Sequence, residues 1–68
     1  MSVHIFKTTV INQSQVKLLK VELDILTLKN EQWNFDLEDC DNILRVKTQD
    51  PVKFTKVLEL KGFHFQEL

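Results

Sequence analysis

Hydrophobic positions change their period several times along this chain, and each change predicts a new element. In residues 12–28, NQSQVKLLKVELDILTL, apolar side chains recur at helical spacing. At about 100° per residue, Val16, Leu19, Leu23 and Leu26 line one side. Leu18, Val21, Ile25 and Leu28 line nearly the opposite side, while Lys17, Lys20, Asp24 and Thr27 share the main polar sector. One apolar stripe is what a surface helix of a small domain needs, so the second stripe calls for a partner. The segment VELDILTL also alternates as a strand does, but the apolar pattern from Val16 to Leu26 runs beyond ordinary strand length, which favours helix. Asn12 is the expected N-cap, with Ser14 as a rival. Gln15 is placed to reach back to the Asn12 amide in a capping-box arrangement. The polar residues Lys29, Asn30, Glu31 and Gln32 end the element.

Strand periodicity flanks this helix. Residues 2–9, SVHIFKTT, are rich in β-branched and aromatic side chains. Val3 and Ile5 are assigned to the core, which leaves Phe6 on the open face with His4 and Thr8. Residues 33–47, WNFDLEDCDNILRVK, read as a hairpin in which Trp33, Phe35 and Leu37 alternate with Asn34, Asp36 and Glu38. The turn runs through Asp39, Cys40, Asp41 and Asn42, residues that favour turns. With Cys40 and Asp41 at the tip, Leu37 faces Leu44 and Phe35 faces Val46, while Asp36 meets Arg45 and Asn34 meets Lys47.

A second helix opens at Asp50 and Pro51, a favoured N-cap followed by a residue that needs no N–H at the first helical position. Phe54, Val57 and Leu58 form its inward stripe. Gly62, the chain's single glycine, sits where a left-handed residue closes a helix. Residues 63–68 form a last strand with Phe63 and Phe65 inward. The order is β-α-β-β-α-β in one domain spanning residues 1–68. It predicts an α+β, ferredoxin-like sandwich: a four-stranded antiparallel sheet with two helices on one face and its other face open.

Composition adds constraints to this picture. A chain of 68 residues buries only about 60% of its unfolded surface, so oligomerisation is a natural route to stability. Nine basic and ten acidic residues give a net charge of −1, which argues against a nucleic-acid footprint or a polybasic membrane contact. No signal peptide or spanning helix is read, and a lone cysteine suits a reducing, cytoplasmic setting.

Two stretches carry a family resemblance. The spacing of Val16, Leu19, Leu23 and Leu26 in VKLLKVELDIL, and the ending LELKGF with Leu58, Gly62 and Phe63, are similar to those of heavy-metal-associated domains. These are the small copper chaperones and the N-terminal modules of metal-pumping ATPases. The family motif M-x-C-x-x-C falls at Val10-Ile11-Asn12-Gln13-Ser14-Gln15, so Asn12 and Gln15 stand where the two thiolates would be. The resemblance implies the fold and removes the usual activity, because neutral amides do not bind soft Cu(I) as thiolates do. It points to a degenerate member, of a bacterial stand-alone type.

Candidate chemistry is sparse. Cys40 lies in the predicted turn among Glu38, Asp39 and Asp41, acidic surroundings that do not suit a reactive thiol. The acidic turn DLEDCDN lacks the glycine and distal glutamate of a calcium loop. His4 and His64 fall on neighbouring strands but towards opposite ends. An RNA-recognition sheet needs aromatics on the open face in basic surroundings, and Phe6 is the one candidate there. No nucleophile elbow or phosphate loop occurs, so no enzyme and no cofactor is expected. The expected function is a non-enzymatic protein-interaction module, a homodimer or a docking unit for another protein. Leu18, Val21, Ile25, Leu28 and Phe6 are its candidate interface. The alternative is a metal handler using Cys40, acidic groups or histidines as ligands. Domain swapping of the segment after the first helix is a further route to burying the second stripe.

Overall fold

The computed structural model describes residues 2–38 and 40–68. Its elements are β1 (Ser2–Thr8), α1 (Gln13–Leu26), β2 (Gln32–Asp36), β3 (Ile43–Thr48), α2 (Pro51–Leu60) and β4 (Phe65–Glu67). The four strands form one antiparallel sheet in the order β2-β3-β1-β4. With the order βαββαβ, this is the ferredoxin-like α+β topology. No helix is long and apolar enough to cross a membrane among the described residues.

The core lies between the sheet and the two helices. Leu19 and Leu23 of α1 and Phe54, Val57 and Leu58 of α2 meet Phe6, Leu44 and Val46 of the sheet, together with Val10 from the β1–α1 connection. Val16 and Leu26 pack against this cluster, so the inward stripe of α1 holds the residues its spacing predicts.

Strand β1 faces the other way from the sequence expectation. Phe6 is buried, with its ring edge-on to Phe65 at 6.0 Å, whereas Val3 and Ile5 are exposed. Lys7 accounts for the choice. β1 is a central strand, so turning Val3 and Ile5 inward would place Lys7 on the buried side, where an unpaired charge is far costlier than two exposed aliphatics. Thr8 fits the inward position because its hydroxyl donates to the Asn42 carbonyl at 2.7 Å and accepts from the Val10 amide at 3.2 Å. His4 shares this inward side, half-buried, with Nδ1 3.0 Å from the Glu67 carboxylate.

The β2–β3 hairpin keeps its predicted faces in a different register. Trp33 lies opposite Val46, Asn34 opposite Arg45 and Phe35 opposite Leu44. The expected pairs are each displaced by two residues. A slip of two preserves every side chain's face, so alternation alone does not distinguish the two registers. The connection is correspondingly longer, with Asn42 in a left-handed conformation at φ 51° and the Glu38 amide donating to Asp36 Oδ1. Asparagine tolerates that backbone better than most residues. Asp39 lies outside the described residues.

Helix ends follow the sequence with two adjustments. Asn12 Oδ1 accepts from the Gln15 amide at 2.9 Å, as a cap should, but Gln15 Oε1 reaches the Ile11 amide rather than that of Asn12. Asp50 stands at the N-cap of α2 without a side-chain capping bond, and its amide donates to Thr48 Oγ1 instead. Gly62, at φ 85°, closes α2: its amide bonds to Glu59 and that of Phe63 to Leu58. These are the two bonds of a Schellman ending. A Cβ at Gly62 would meet nothing within 4 Å, so only the backbone conformation resists a side chain there. Gly62→Ala is therefore expected to cost about 1–2 kcal/mol, read as a shift in the urea midpoint. An unchanged midpoint would show that the α2 terminus does not need the left-handed residue.

Candidate functional site

The outer side of α1 is the candidate surface. Leu18 is 67% exposed, Val21 65% and Ile25 79%. They project away from Leu19 and Leu23, which are fully buried on the same helix. The flanking charges are already engaged within the chain. Lys20 Nζ lies 2.6 Å from Asp24, and Asp24 also accepts from the Trp33 indole N–H at 3.0 Å. The Lys20 and Trp33 partners hold the Asp24 carboxyl below its ordinary pKa against the opposing effect of desolvation. On the other flank Glu22 meets Lys61 at 2.6 Å, joining α1 to the end of α2. A partner covering the apolar row would therefore leave these four charges with partners.

Two members of the predicted interface need correction. Helix α1 ends at Leu26, with Thr27 as an extended C-cap, so Leu28 is 60% exposed but stands in the connection, not on the helical row. Phe6 belongs to the core and cannot contribute to an open surface. Its burial also removes the aromatic on which base stacking by the sheet depended. The outward positions of the paired strands carry aliphatic, amide and charged side chains and no ring.

The connection after α1, whose sequence predicts only a polar loop, holds a buried carboxylate. Glu31 is buried, its side chain only 3% exposed. It accepts from Lys53 Nζ at 2.6 Å, from the Thr48 hydroxyl and from the Leu28 amide at 2.8 Å. These partners, Lys53 foremost, lower its pKa from 4.5 to about 2. The carboxylate thus ties the α1–β2 connection to β3 and α2. A lone glutamate in a polar run gives no signal of this, because its side-chain partners Lys53 and Thr48 come from distant segments.

The other candidates remain apart. Among the described residues, no three His, Cys, Asp or Glu side chains are grouped to hold a metal ion. Asp36 faces Arg45 at 3.6 Å and Asp41 faces Lys7 at 3.8 Å, so part of the acidic hairpin connection is engaged with cations. Cys40 is exposed and free. The His64 amide donates to Thr9 Oγ1, towards the far end of β1 from His4. Asn12 and Gln15, at the positions of the family's thiolates, both use their side-chain oxygens to close the start of α1.

No family model, curated protein or solved structure matches this chain. The surfaces themselves therefore carry the functional argument.

Proposed function

We propose that the protein is a small non-enzymatic interaction module that pairs with a second copy of itself through the outer row of α1. The observation that carries this reading is the exposure of Leu18, Val21 and Ile25 on a helix whose opposite side fills the core. Exposed aliphatics are ordinary when scattered, but three in one helical row form a continuous apolar patch. Six such side chains, three from each copy, would contribute about 9–18 kcal/mol if fully covered. Association costs about 4–15 kcal/mol, a range that overlaps this gain; the midpoints leave about 4 kcal/mol, which describes a weak dimer in the millimolar range. The internal pairing of Lys20 with Asp24 and of Glu22 with Lys61 supports the same reading, because contact leaves these charges compensated.

The family relation we propose is to heavy-metal-associated domains that have lost the thiolate pair. Supporting it are the capping positions of Asn12 and Gln15 and the Leu58–Gly62–Phe63 ending of α2. The single thiol supports a reducing, cytoplasmic setting.

Sedimentation across a concentration series tests the pairing. The native chain should move towards dimer mass as concentration rises. Leu18→Lys and Ile25→Lys should stay monomeric, with stability changed by no more than about 0.5 kcal/mol, as expected for exposed positions. A native chain that is monomeric throughout would overturn the proposal.

A further inference from the structure

The open face of the sheet carries a charge pattern opposite in sign to the chain as a whole. Strand pairing aligns its outward positions in rows. Gln32, Lys47 and Val3 form one row, Asn34, Arg45 and Ile5 the next, and Asp36, Ile43, Lys7 and Gln66 the third, in which Ile43 is buried. Three cations therefore share this face, on a chain whose net charge is −1; Asp36 is the carboxylate among its strand positions, and Asp41 from the hairpin connection lies 3.8 Å from Lys7. Asp36 reaches Arg45 only at 3.6 Å, and Lys47 has no ion-pair partner among the described residues. Around Arg45 and Lys47 the face is slightly hollow, with a shallow depression of about 240 Å³ bordered by Val3, Gln32 and Asn34.

We propose that this face docks an extended acidic segment of a partner protein, one that alternates carboxylate and aliphatic side chains. Arg45 and Lys47 are two residues apart on one strand, which sets their Cα atoms about 6.7 Å apart. Carboxylates at every second position of an extended segment repeat at the same distance. Arg45 offers a planar pair of donors for one carboxylate, and Lys47 a point charge for the next. The Gln32 and Asn34 amides can donate or accept beside them. Val3 and Ile5 then supply the apolar ground for the partner's aliphatic groups. Charge complementarity selects the acidic partner, and the lack of any ring among the outward strand positions disfavours single-stranded nucleic acid, whose bases need a stacking surface.

The test is a titration of the labelled Leu18→Lys chain, in which pairing through α1 is disabled, with a short peptide alternating glutamate and valine. Amide shifts are followed by NMR. The expected result is shifts centred on Val3, Ile5, Arg45 and Lys47, weakened by added salt. Lys47→Glu, which breaks no ion pair among the described residues, should lower the affinity about tenfold, and Arg45→Glu combined with it should lower it further. Absence of those shifts at millimolar peptide would overturn the proposal. So would equal binding of the peptide with lysine in place of glutamate, or tighter binding of oligothymidylate to the same amides.

Discussion

Phe54→Ala is expected to remove about 3–5 kcal/mol of folding stability, the usual cost of emptying a buried aromatic site. A chain of 68 residues has on the order of 3–10 kcal/mol in total. The substitution should therefore leave the protein marginally folded or unfolded at room temperature. Phe54 is fully buried and joins α2 to the core that Leu19, Leu23, Leu44 and Leu58 complete. Few other large side chains are at hand to fill the space, because so small a domain has a single core layer. The Lys53 ammonium lies 5.5 Å from the ring centroid, so a cation–π contact is lost as well. Urea unfolding followed by circular dichroism measures the effect, with Ile25→Ala as the exposed reference. Equal losses for the two variants would contradict the placement of the core.

Glu31→Gln should change how stability depends on pH. The folded-state pKa of Glu31, about 2, lies below its ordinary value of 4.5. The stabilisation from the ionised form is therefore complete above about pH 4.5 and is lost as pH falls towards 2. The native chain should lose melting temperature steeply across that window. Glu31→Gln should start several degrees lower at neutral pH, because Lys53 loses its carboxylate partner, and should show a shallower acid slope. Some slope will persist, since Asp24 is also held below its ordinary value by Lys20 and Trp33. Parallel melting curves for the two proteins from neutral pH to pH 2 would mean that Glu31 is not held in its ionised form by these contacts.

The errors in the sequence reading have identifiable causes. Strand β1 offers two aliphatics on one side and one aromatic on the other, so apolar counting favours the wrong face. The deciding signal is Lys7, which was present in the sequence and which a central strand cannot bury. The hairpin register is a different case, because alternation repeats every two residues and admits both pairings. Selection between them rests on the longer connection and on Glu31 meeting Thr48 across the end of the hairpin. Neither contact has a local signature. The candidate surface was more legible: the outer row on α1 followed from helical spacing, except at Leu28, where the helix had already ended.

Local chemistry in the chain settled the number and order of the elements, the inward stripe of α1, the cap at Asn12 and the left-handed glycine after α2. Each depends on residues within a few positions of one another, where backbone geometry limits the choices. Tertiary structure alone decided which side of β1 faces the helices, which of two equivalent hairpin registers forms, and that Glu31 is buried with Lys53 and Thr48. Those outcomes depend on the cost of burying charge and on side chains separated by 17 or 22 residues, which meet only after the sheet and helices have assembled.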